Sequence, residues 1–154
     1  MDISRADSGT HQDVEQSIVE EHRLLAERID EAGRRVDHFF STPARQTASE
    51  IGEITSLLAK LIETAQAHFQ HEEALMVKNE FPGFASHKRD HDYLIRSLID
   101  FTSALNHRTV PVSADIGVNL RSWLTYHIKK FDEAYVVFTE ARPDVDVEKG
   151  NRSA

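Results

Sequence analysis

The chain contains no cysteine. Disulfides, thiolate metal ligands and iron–sulfur clusters are thereby excluded. No apolar run reaches the roughly 18 residues needed to cross a bilayer, so membrane insertion is not expected. The N-terminus, Met-Asp-Ile-Ser-Arg-Ala-Asp-Ser-Gly, lacks the apolar stretch of a signal peptide, and the expected location is the cytoplasm. Positive charge is also short. Lys and Arg number 18 against 26 Asp and Glu, for a net charge of -8. That balance favours a soluble protein and argues against nucleic acid or an anionic membrane as the main partner. With 154 residues the chain is expected to form one domain spanning 1–154. A chain of about 150 residues buries roughly two thirds of its unfolded surface.

What the chain does have is nine histidines, and their placement follows the helical pattern. From about His11 to Phe40, Ile18, His22, Leu25, Ile29, Ala32, Val36 and Phe39 recur in alternating steps of four and three, the inward seam of a helix in a bundle. Ser41-Thr-Pro breaks this pattern, and Pro43 suits the first turn of a second helix capped by Ser41 or Thr42. The run from Glu53 to Phe81 has neither Gly nor Pro. It carries Leu58, Leu61, Ala65, His68, Glu72 and Met76 on one side and should stop near Asn79, ahead of the turn Phe81-Pro-Gly. A third seam runs Phe84, His87, His91, Leu94, Leu98, Phe101 and Leu105. After a loop in which Ser113 is a plausible cap, a fourth runs Leu120, Trp123, Leu124, His127, Phe131, Ala134 and Phe138. Four amphipathic helices with short connections predict an all-α, antiparallel up-down-up-down four-helix bundle over about 12–140, with loose tails at 1–11 and 142–154.

Each seam thus carries a histidine where a core residue belongs. His68 and Glu72 are four apart, about 40° of rotation on a helix, so they leave the same face, as do His87 and His91. A lone core histidine is ordinarily a hydrogen-bonded core residue. Five buried imidazoles without partners would be costly, because their nitrogens lose water. A metal ion removes that cost, since imidazole ligates Fe, Zn, Cu or Ni. In an antiparallel bundle the five histidines fall at compatible levels.

His22, His68-Phe-x-x-Glu72-Glu, His87-x-x-x-His91 and Trp123-Leu-x-x-His127-Ile-x-x-x-Asp132 resemble the hemerythrin pattern in its bacterial form, over roughly residues 14–140. The resemblance implies a non-haem di-iron centre inside the bundle. His87, His91 and His127 would bind one iron and His22 and His68 the other. Glu72 and Asp132 would bridge them, with an oxo or hydroxo group as third bridge. The second iron would keep one open position for dioxygen. The chain departs from the family in carrying Val19 three residues before His22 and in the long link between His22 and His68. His127 and Asp132 are five apart, about 140° around an ideal helix, so both reach one site only if the helix is locally widened, as by a π-type turn, or the interior face is broad. Without the family, Asp132 would read as a solvated side chain. His11, His38, His71 and His107 match nothing in the pattern and read as surface residues, with His71 a candidate to support a ligand.

Two ferrous ions, two carboxylates and a hydroxide sum to about +1, which an apolar core tolerates better than a bare pair of cations. A shell rich in histidine, with no Glu three residues before any His, differs from the Glu-rich sites of di-iron oxygenases. It favours reversible dioxygen binding over oxidation chemistry, with Leu25, Trp123 and Leu124 one turn from ligands as candidate pocket residues. The expected role is therefore oxygen storage, transport or delivery by a non-enzyme, as a monomer or small homo-oligomer. The alternatives are an oxygen or redox sensor acting through an unidentified protein partner, and a di-iron peroxidase or nitric oxide reductase. No His-Glu-x-x-His occurs, which counts against a zinc hydrolase.

Overall fold

The computed structural model describes residues 8–109 and 116–142. Most of the expected tails, and the Ser113 cap, lie outside those residues. The first helix, α1, spans Ser8–Ser41 and so starts before His11. A 3₁₀ turn at Pro43–Arg45 precedes α2, Ala48–Lys78. Helix α3 spans Phe84–Asn106. The fourth rod is continuous but not uniform: α4, Ile116–His127, passes through a π segment at Ile128–Asp132 into α5, Glu133–Glu140. Among the described residues there is no strand, and no helix is long and apolar enough to cross a membrane. Helix α1 packs on α2 and α4, and α2 packs on α1 and α3, giving the expected four-helix bundle.

The start of α2 corrects the expected cap. Pro43 does not open the long helix. It opens the tight turn, which Gln46 N–H closes on Pro43 O at 3.2 Å. The chain then extends, and Thr47 becomes the cap, its Oγ1 accepting from Glu50 N–H at 3.2 Å. Ser41 instead donates its hydroxyl back to His38 O.

Helices α2 and α3 both end in the same device. Glu80 N–H bonds Val77 O and Phe81 N–H bonds Met76 O; Arg108 and Thr109 repeat this on Leu105 and Ala104. These are Schellman closures, which need a left-handed residue just past the cap. Glu80 and Arg108 occupy it, each at φ 54°, where glycine would be unstrained. The first closure turns the chain sharply enough to bring α3 back along α2 at the level of His68 and Glu72.

The apolar core fills one side of that level. Leu25, Ile29 and Val36 follow His22 along α1, while Ile54, Leu58 and Leu61 precede His68 on α2. Leu94 and Leu98 follow His91, and Leu120 and Leu124 precede His127; all are buried. In an antiparallel bundle these segments meet. On the other side Phe81 packs against Tyr135 and Phe138. The expected fourth seam fails at Ala134, which is exposed, while Tyr135 turns partly inward and accepts from Asn79 Nδ2 at 2.6 Å. The extra residue in the π turn shifts the inward face by one position, which a uniform 3.6-residue period cannot anticipate.

Relieving the left-handed strain should stabilise the fold. We expect Glu80→Gly to raise unfolding stability by up to about 1 kcal/mol, with metal content unchanged. A denaturation midpoint below that of the parent would contradict the strain.

Candidate metal centre

Among the described residues six polar side chains are buried, and all six belong to one cluster: His68, Glu72, His87, His91, His127 and Asp132. His22 joins them from α1 with 17% of its side chain exposed. Each arrives for a local reason. The i, i+4 pairs His68–Glu72 and His87–His91 project from single faces of α2 and α3. Asp132 arrives through the π segment, where Glu133 N–H reaches back to Ile128 O. That widened turn is one of the two expected ways for His127 and Asp132 to reach one site, and Asp132 is 7% exposed rather than solvated.

The donor atoms fall into two groups that share both carboxylates. One contains His87, His91, His127, Glu72 and Asp132; the other contains His22, His68, Glu72 and Asp132. The oxygens divide between them. Glu72 Oε2 lies 3.3 Å from His91 Nε2, while its Oε1 lies 3.4 Å from His68 Nε2. Asp132 Oδ1 lies 3.0 Å from both His87 Nε2 and His127 Nε2, while Oδ2 lies 2.9 Å from His22 Nε2. Each carboxylate therefore turns one oxygen to each group.

An outer layer of acids orients the rings. His68 Nδ1–H donates to Glu21 Oε2 at 2.9 Å, His91 Nδ1–H to Glu73 Oε1 at 3.0 Å and His127 Nδ1–H to Asp90 Oδ2 at 2.6 Å. With Nδ1 protonated, a neutral ring presents a bare lone pair at Nε2. Those lone pairs converge: His127 Nε2 stands 3.1 Å from both His87 Nε2 and His91 Nε2. Five inner atoms, His22 Nε2, His68 Nε2, Glu72 Oε2 and both oxygens of Asp132, are buried without a hydrogen-bond partner. Buried polar atoms left unpaired are costly. Converging lone pairs beside anionic oxygens are what a cation satisfies, so the donor set fits metal ions.

The electrostatics agree. Burial pushes the Glu72 carboxyl up, but His22 and His91 outweigh it and hold it down at about 2. Burial likewise opposes ionisation of Asp132, and His127, His22 and His87 outweigh it, leaving its carboxyl well below the usual range. Against its own burial, the His22 imidazole is drawn up to about 9 by Asp132 and Glu72. Two carboxylates thus remain anionic in a buried space because the imidazoles around them favour the charged form.

The sequence pattern gives several residues at the centre no role of their own, including Phe69 and Glu73, which stand within the quoted motif. Glu21, Glu73 and Asp90 were not singled out, although each is next in sequence to an inner donor. Phe69 is buried and stacks on His91, centroids 3.8 Å apart and planes 8° apart. Phe131 stacks on His127 at 5.4 Å. Of the candidate pocket residues, Leu25 and Leu124 are buried, and Trp123 is partly buried and stacks on His127 at 4.7 Å. Among the unmatched histidines, His38 and His107 are exposed and His71 reaches Glu21; His11's side chain lies outside those described.

A family model, the Hemerythrin HHE cation binding domain, matches residues 13–138. A bacteriohemerythrin of Methylococcus capsulatus is 34% identical over 100 residues, covering 65% of this chain and 74% of that protein. A bacteriohemerythrin of Stenotrophomonas maltophilia is 26% identical over 108 residues, 70% of each chain. A myohemerythrin of Riftia pachyptila is 30% identical over 78 residues, 51% of this chain and 59% of that one. No solved structure gives a significant match.

Metal analysis of variants checks the shared arrangement. Glu72→Gln and Asp132→Asn should each deplete both ions, because each carboxylate faces both groups, whereas His22→Ala should lose one and keep the other. Equal loss in all three variants would contradict two overlapping groups. A pH series checks the charge balance in chelator-stripped protein. His22 has a raised pKa when folded, so its contribution to stability is full below the unfolded value of about 6.5 and is lost as pH rises through about 9. Urea denaturation should show that decline, and His22→Ala should flatten it.

Proposed function

The chain belongs to the hemerythrin family, and on that premise we propose that it binds dioxygen reversibly at a pair of non-haem irons. The observation that carries the proposal is the inequality of the two donor groups. One offers three imidazoles and two carboxylate oxygens, the other two imidazoles and the two remaining oxygens. Octahedral iron takes six ligands. His87, His91, His127, Glu72 and Asp132 would hold one iron with five protein donors. His22, His68, Glu72 and Asp132 would hold the other with one protein donor fewer, which would leave room for an added ligand. When bound, the iron pair supplies the affinity for dioxygen and the electrons that its binding draws on.

The chain's own contribution is to hold, orient and keep dry. Glu21, Glu73 and Asp90 keep three imidazoles in the tautomer that ligates. Leu25 follows His22 by three residues and is fully buried, and Leu124 precedes His127 by three and is 6% exposed. Phe69 lies beside His68 with ring centroids 5.6 Å apart. Apolar walls of this kind keep water and protons from an oxygen ligand, which favours release of dioxygen unchanged over its reduction.

Reduced, iron-loaded protein exposed to air should develop a visible charge-transfer band. That band should vanish under vacuum and return over repeated cycles, with two irons per chain. A featureless spectrum with stoichiometric zinc, or irreversible oxidation in the first cycle, would overturn the proposal.

A further inference from the structure

Each supporting acid must itself be held. Aspartate has two side-chain torsions and glutamate three, so a glutamate at the bundle surface has more conformations to lose when it fixes a ring. Asp90 meets His127 at 2.6 Å, the shortest of the three supports. Both glutamates are gripped at their second oxygen. Lys88 Nζ lies 3.4 Å from Glu73 Oε2 while His91 takes Oε1. At Glu21, His68 takes Oε2, and His71 Nδ1–H donates to Oε1 at 2.8 Å, closer than the exposed Ser17 hydroxyl that reaches the same oxygen at 3.4 Å.

The three residues of the second case form a line from solvent to the centre. His71 has 34% of its side chain exposed, Glu21 29% and His68 2%. His68 and His71 are three apart on α2, so both rings lean toward α1 and bracket one carboxylate between them. Glu21 is thereby fixed from two sides by a single helix. The polar partner of the His71 side chain is Glu21 rather than an inner donor, so its side chain acts on the centre through that carboxylate.

We propose that His71 is a positioning residue: as the shorter of the two hydrogen bonds on the outer oxygen of Glu21 it keeps that carboxylate on His68, and so secures the ion held by His22 and His68 without touching it. This rests on the two-iron reading above. Without the clamp, Glu21 can swing into water, and His68 loses the partner that fixes its tautomer and its aim. Loss of such an outer partner typically weakens metal binding ten- to a hundredfold. The effect should fall on the ion at His22 and His68, because Glu73 and Asp90 support rings of the other group.

The test is the rate at which a ferrous chelator removes iron from the full-length, iron-loaded protein, read as two phases. In His71→Ala the faster phase should accelerate about tenfold while the slower is unchanged. His71→Asn, whose side-chain amide nitrogen can replace Nδ1–H as donor, should restore the parental rate within about threefold. In a Glu21→Ala background, His71→Ala should add nothing, because the two act in series. Equal acceleration of both phases, no rescue by Asn, or additive effects would each overturn the clamp. A parent that binds no iron pair would overturn the two-iron reading as well. A parent with two irons whose release ignores His71 would overturn only the clamp.

Discussion

Two carboxylates, Glu72 and Asp132, each turning one oxygen to either side of a buried cluster of imidazoles, are the constraint on which the rest of the molecule depends. Neither acid gains neutrality by protonation: the surrounding rings hold both well below the usual carboxyl range. A bundle of this size can bury two anions only if cationic charge is delivered to the same place. The fold is arranged around that delivery. Leucines and isoleucines fill the bundle on one side of the centre, aromatic rings close over it on the other, and the four rods contribute a donor each or more at one level.

The outer acids connect the rods in sequence. Glu21 on α1 holds His68 on α2, Glu73 on α2 holds His91 on α3, and Asp90 on α3 holds His127 on α4. Each sits beside an inner donor of its own helix: Glu21 beside His22, Glu73 beside Glu72, Asp90 beside His91. Neighbouring residues on a helix diverge by about 100°. One of each pair therefore faces the centre while the other faces the adjacent rod. The same periodicity that aims the inner donors also aims the supports, so packing the helices assembles both layers together.

Much of this was legible beforehand because the inner donors replace core residues. His22, His68, His87, His91 and His127 fall on the apolar steps of their helices, where a surface histidine would not. Once the family resemblance makes Asp132 an inner donor, its five-residue gap from His127 points to the π turn; the spacing alone does not. What stayed hidden has physical causes. Glu21, Glu73 and Asp90 sit where ordinary surface acids sit, and only the identity of the facing helix distinguishes them. Phe69 lies one residue off the seam and is buried because the centre needs a ring against His91. Thr47 displaced the expected cap because a single tight turn absorbed Pro43. Ala134 was misplaced because the π turn that brings Asp132 inward also shifts everything after it.

The central claim concerns where two ions sit, and anomalous diffraction at the iron edge addresses it most directly. Crystals of the iron-loaded protein should show two anomalous peaks, both in contact with Glu72 and Asp132. One should be bounded by His87, His91 and His127 and the other by His22 and His68. A single peak, or a pair lying away from those two carboxylates, would contradict the account.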